Sequence, residues 1–281
     1  MIRLGLRAHD LGSGTIEELA NRLGKTNLKC IQLALPKAIN NISFEQGTFS
    51  PGLARQIRRT LEAKNIDVAI LGCYINFMHP DLNERKKEFE KFKEHIHFAK
   101  EFGALIVGTE SGSYNPDFSF NEKNHTEEAL AEFIVGLKEL VKEAEKYGVI
   151  IGLEGVSKYV VNTPERMRQV LDIINSDNLK VILDPVNLLS NDNYKRQDEI
   201  VKKCFNLFGN DIMVIHAKDF TVENNKIHEV APGEGNGKFN FKLLFQLLKK
   251  RKPYIEVLME NTTIDTYKKS AEYIMSFLDN N

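Results

Sequence analysis

The sequence is poor in cysteine, has no excess of either charge, and contains no long apolar run. Its three cysteines, Cys30, Cys73 and Cys204, are odd in number and far apart, with no Cys-x-x-Cys. That argues against a disulfide-stapled secreted fold and fits buried thiols and a cytosolic location. A formal net charge of -1 gives no footprint for a polyanionic partner, so nucleic acid is not expected. The longest basic run, Leu248 to Pro253, reads as the cationic end of a helix followed by its proline. No window approaches the roughly 18 apolar residues of a membrane span, and the N-terminal stretch lacks a basic leader and a cleavage site. No membrane or secretory role is expected. What remains, 42% hydrophobic and 27% charged residues over 281 positions, is the composition of an ordinary globular protein. That length suffices for one large α/β barrel or two ordinary domains.

Short apolar runs alternate with longer amphipathic ones from end to end. Eight read as strands: residues 2–6, 29–34, 67–72, 104–109, 149–153, 180–184, 212–216 and 255–259. Most are near-continuous Val, Ile and Leu, the pattern of parallel strands buried on both faces. Between them lie helical patterns. In Asn83 to Gly103, Phe89, Phe92, Ile96 and Ala99 share one face, Asn83 is the candidate N-cap and Gly103 the stop. Thr126 to Gly148 repeats the design, and Thr163 with Pro164 opens another helix. Two more helices lie in Phe239 to Lys250 and in Asp265 to Leu278. Eight βα units predict a single-domain (β/α)8 TIM barrel. The competing open doubly wound sheet would carry a Gly-x-Gly-x-x-Gly after its first strand, and none is present.

The last four strands end alike. Glu154 closes the fifth, Asp184 the sixth, His216 the seventh, and Glu260 follows the eighth. The spacing is about one βα unit each time, so all four reach the C-terminal face, where barrel active sites sit. A lone acid there is usually a turn former or helix cap, and a lone histidine a satisfied polar residue. Four in register, all of metal-ligand type, point instead to one divalent cation. Three clustered carboxylates would otherwise repel one another. The oxygen and nitrogen donor set suits Mn, Mg, Co or Zn without choosing among them.

These residues, in "GLEGV", "LDPVN", "IHAKDF", "PGEGNGKFNF" and "LMENT", resemble the xylose-isomerase-like barrel superfamily of sugar (phosphate) isomerases and epimerases, over essentially the whole chain. The resemblance implies a metal held by Glu154, Asp184, His216 and Glu260. It also implies a sugar or polyol substrate bound through a carbonyl oxygen and the adjacent hydroxyl, and an enediolate. Glu154 and Glu260 would then be the catalytic pair, one removing a proton and the other returning it on the opposite face. The chain departs from the epimerase pattern at three places: Asn187 stands where a histidine is usual, Val160 where a glutamate is, and Val222 where an arginine is. The fold and metal site carry over, while the epimerase substrate contacts do not.

Further substrate-binding candidates are Asn187, Lys218, Glu110, Asn76 and His79, each just beyond a strand end. His9 and Asp10 follow strand one in the same way, and Gln32 lies within strand two. The glycine-rich Pro232 to Phe239 reads as a tight turn, since it lacks the ending of a nucleotide loop. His95 and His97 lie inside a helix and His125 in a loop, where packing or surface roles suffice. The alternative activity is a metal-dependent dehydratase or lyase on a cyclic polyol or keto acid. An abasic-site endonuclease would need histidines the chain does not place, and a non-enzymic sugar-binding barrel would need no base. Assembly into a homo-oligomer is left open.

Overall fold

The computed structural model describes residues 2–279. Its strands are β1 (Arg3–Arg7), β2 (Cys30–Leu33), β3 (Asp67–Gly72), β4 (Ile106–Glu110), β5 (Ile151–Glu154), β6 (Leu179–Leu183), β7 (Ile212–Ala217), β8 (Asp219–Glu223), β9 (Lys226–Val230) and β10 (Glu256–Met259). Eight of them close a parallel barrel in the order β1-β10-β7-β6-β5-β4-β3-β2. The apolar strands are buried on both faces: the inner layer is Cys30, Ile70, Ile106, Ile182, Val214 and Leu258, and the outer faces pack on the helices. All eight expected strands are present, with ends that differ by at most two residues.

β8 and β9 were not expected. They form an antiparallel hairpin over Asp219–Val230, turned at Asn224 and Asn225. Both asparagines have positive φ (48° and 61°), the requirement of a two-residue hairpin turn that matches strand twist.

The helix between β3 and β4 runs Leu82–Phe98, and its N-cap is Asp81, which accepts from Asn83 and Glu84 N–H groups. Asn83 is therefore inside the helix rather than its cap, because Asp81, two residues earlier, already takes the first free N–H groups. The helix also stops before Gly103, which takes φ 70° only after a further turn. Thr126 and Thr163 cap their helices as expected, and Gly148 ends the first of these in the left-handed region that its missing Cβ permits.

The three cysteines are buried and free. No helix among the described residues is long and apolar enough to cross a membrane. His95, also buried, donates through Nδ1 to the Lys91 carbonyl and meets Phe49 edge-on at 4.9 Å. Burial, with Lys91 adding repulsion, holds its imidazole down at about 4. The unfolded chain protonates this group near 6.5, so its contribution to stability is complete above that pH and is lost as pH falls toward 4. The loss at pH 5 is expected to be roughly 2 kcal/mol, and His95→Leu removes it; urea midpoints at pH 7.5 and 5 check both.

Candidate metal centre and cavity

Alternation along the strands aims the site. Side chains two residues apart share a face. Beyond the inner-layer residues Ile182, Val214 and Leu258 the next inward positions are Asp184, His216 and Glu260. Glu110 and Glu154 stand two residues beyond Gly108 and Gly152, whose missing Cβ atoms leave room for Ile70, Ile106 and Ile182 below. The same step from Cys30 gives Gln32, and from Gly5 gives Arg7. A cavity of about 470 Å³ opens above this floor, with Arg7, Gln32, Tyr74, Glu110, Glu154 and Glu260 in its wall.

Ligand atoms of Glu154, Asp184 and His216 lie within 4.8 Å of one another, and all three residues are buried. His216 Nδ1 is 3.2 Å from Glu154 Oε2 and 3.2 Å from Glu260 Oε1. Yet Asp184 Oδ2 and both ring nitrogens of His216 have no hydrogen-bond partner. Donor atoms that face one another at this spacing, buried and unsatisfied, suit a shared cation: an octahedron with bonds of about 2.1 Å has edges of about 3 Å. Glu154, Asp184 and His216 can hold a metal ion. Glu260 reaches His216 but stands outside that three-residue group, because Arg7 Nη1 at 3.7 Å and Lys218 Nζ at 3.6 Å draw its other oxygen away.

The electrostatics tell the same story. Burial pushes the Asp184 carboxyl up to about 7, against Lys218 and with Glu260 and Glu154. Burial, Glu154 and Glu260 push Glu110 to about 8. Burial opposes a charge on His216, but Glu154 and Glu260 outweigh it and raise the imidazole to about 9. Burial likewise opposes the Glu260 carboxylate, and His216, Lys218 and Arg7 outweigh that and hold it down at about 2. The acids compete for too few positive charges, which is the condition a divalent ion relieves.

Asn187 and Lys218 stand in the cavity wall, engaged with the site itself. Asn187 Nδ2 donates to Glu154 Oε1 at 2.6 Å, and its Oδ1 accepts from Lys218 Nζ at 2.7 Å. Lys218 also lies 3.4 Å from Asp184 and 2.8 Å from Glu229. Glu229 comes from the unexpected hairpin, which thereby borders the cavity. The hairpin and glycine-rich loop are tied together by Asp219, whose Oδ1 accepts from Phe220 and Phe239 N–H groups and whose Oδ2 accepts from Gly233.

His9 reaches the cavity, where burial, Arg7 and Lys37 hold its imidazole down at about 4. Asp10 does not line it; its carboxylate accepts from Arg7 Nε at 3.1 Å and Thr262 Oγ1 at 2.9 Å. Asn76 and His79 do not line it either. Asn76 Oδ1 accepts from Met78 and Ser113 N–H groups, and its Nδ2 donates to the Asn115 carbonyl. His79 Nδ1 turns to the backbone of Asp81. Both side chains are consumed in fastening loops. Asn76→Ala would strand two buried donors, so a stability loss of roughly 2–4 kcal/mol by urea denaturation is expected.

Sequence reasoning missed Arg7, Tyr74, Phe118, Lys158 and Tyr159, all of which line the cavity. Counting alternate residues outward from the inner layer would have found Arg7; the loop residues carry no such signal.

The fold is shared widely. A D-tagatose 3-epimerase-like protein superimposes with a TM-score of 0.75 at 22% identity, covering 99% of this chain and 97% of that one. The probable 3-DHS dehydratase AsbF of Bacillus anthracis gives 0.74 at 12% identity, covering 100% of both chains. In sequence, the uncharacterised protein MJ1311 of Methanocaldococcus jannaschii is 26% identical over 235 residues, 82% of this chain and 76% of that protein. The model of one family matches residues 3–277, and on that match the chain belongs to the xylose isomerase-like TIM barrel family.

Proposed function

We propose that the protein is a divalent-metal-dependent isomerase or epimerase of a sugar or related polyol. The observation that carries this is the pair of carboxylates, Glu154 and Glu260, each 3.2 Å from Nδ1 of the buried and otherwise unpartnered His216. Glu154, Asp184, His216 and Glu260 would hold the ion, which when bound supplies Lewis-acid polarisation of a substrate carbonyl. Glu154 and Glu260 come from strands separated by β6 and β7 in the barrel order, which supports a reading in which they would flank a bound carbon. One takes the proton next to the carbonyl and the other delivers one. Asn187 fixes Glu154 through its 2.6 Å hydrogen bond. Lys218 offers an ammonium group to the negative charge that develops on the substrate.

A dehydratase or lyase is the second reading. It is favoured by Asn187, Val160 and Val222, which stand where the epimerase substrate contacts would be. The two share proton abstraction and part at the next step. The test is incubation of manganese-loaded protein in D2O with a panel of ketoses, sugar acids and inososes. One deuterium at the carbon beside the carbonyl, with mass otherwise conserved, is expected. Loss of water with a new enone absorbance would shift the assignment to the lyase, and no exchange with any compound would overturn the proton-transfer reading.

A further inference from the structure

Among the described residues, six other than glycine have positive φ; five are asparagine and the sixth is Phe118, at φ 59°. Asparagine tolerates the left-handed region, whereas a phenylalanine there is strained by its own Cβ. Such strain persists only where the surroundings over-determine it, and it gathers at sites where a side chain must be placed.

The surroundings of Phe118 do over-determine it. The Asn115 carbonyl accepts from the Phe118 N–H and from Asn76 Nδ2, both at 3.2 Å. Asn115 Nδ2 donates to Ser119 Oγ and to the Phe120 carbonyl, both at 2.9 Å, and Asn115 Oδ1 accepts from Asn121 at 2.8 Å. Ser113 Oγ donates to the Ser119 carbonyl at 2.6 Å, closing the loop around the strained residue. The anchors beneath are buried: Asn76 Oδ1 accepts from the Ser113 N–H, and Asn124 bridges Tyr114 N–H, Ser113 Oγ and the Lys158 carbonyl. Gly112, with φ 76°, passes so close to Asn76 Oδ1 that a Cβ would collide with it.

What this clamp presents is a ring. Phe118 is half-buried, lines the cavity, and lies 6.1 Å from the ring of Tyr159, tilted by 59°. With Tyr74, Val156 and Leu189 these two rings make the apolar part of a lining that is otherwise charged or polar. We infer that Phe118 is a specificity-determining residue, held against its backbone preference by the Asn76–Asn115–Asn124 clamp so that its ring and Tyr159 cover the C–H face of a sugar-like substrate. The ligand class rests on the function proposed above; the strained placement does not.

The test uses Phe118→Gly, Phe118→Ala and Phe118→Tyr in the full-length protein. Glycine and alanine both delete the ring, but only glycine relieves the strain, so the Phe118→Gly thermal midpoint is expected to lie several degrees above that of Phe118→Ala. Binding of D-tagatose, D-fructose and an inosose to the metal-loaded protein is then followed by saturation-transfer NMR. Both ring deletions are expected to weaken the bound probe about tenfold, with Phe118→Tyr near wild type. Equal midpoints for the glycine and alanine variants, or unchanged affinity in both, would overturn the inference. If wild-type protein binds none of the probes, the sugar reading fails, and the midpoints alone decide whether Phe118 is held in strain.

Discussion

Glu154→Gln and Glu260→Gln are each expected to lower solvent-proton exchange into substrate by a factor of about 10²–10⁴, the usual worth of a positioned acid or base. The amide keeps the shape of the carboxylate and can still accept the 2.6 Å hydrogen bond that Asn187 gives Glu154. It cannot take a proton at neutral pH. Each substitution also removes one negative charge from a cluster in which Asp184 and Glu110 are already pushed upward by their acidic neighbours. For Glu154→Gln folding stability is therefore expected to hold while turnover collapses, whereas Glu260→Gln also takes a carboxylate from His216, Lys218 and Arg7 and is expected to lose stability as well. A Glu154→Gln variant that lost activity and stability together would point to a packing role. Parallel metal analysis separates loss of the base from loss of the ion, since a variant that keeps its metal and loses exchange has lost proton transfer.

The second large effect concerns Lys218. Its ammonium group is buried among Asp184, Glu229, Glu260 and Asn187 Oδ1. Burial disfavours its charge, but Asp184, Glu260 and Glu229 outweigh that and hold it above the ordinary lysine range. Lys218→Met leaves these acids without their cation, and breaking a buried pair from one side costs about 3–5 kcal/mol. That loss is expected in chelator-treated protein by urea denaturation. Added manganese should recover part of it, because an ion that binds only the folded state stabilises it by mass action. A neutral outcome would mean that Lys218 does not balance the acid cluster.

The barrel was legible because its strands are apolar on both faces and its helices carry their own caps at Thr126 and Thr163. The strand-end donors were legible because alternation and spacing are properties of sequence. Direction was not: Asn76 and His79 lie in the loop after β3, beyond the reach of strand alternation, and their side chains hydrogen-bond that loop and its neighbours. The hairpin of β8 and β9 had a signal, Asn224-Asn225 between alternating residues, that a search for barrel strands passes over. Phe118 had none, since its loop is fastened by asparagine side chains from several segments.

Whether these strand ends form one metal centre is decided by anomalous diffraction from crystals grown with manganese. A single peak is expected at about 2.0–2.3 Å from Glu154, Asp184, His216 and Glu260. A peak elsewhere, or none between these four residues at saturating manganese, would contradict it.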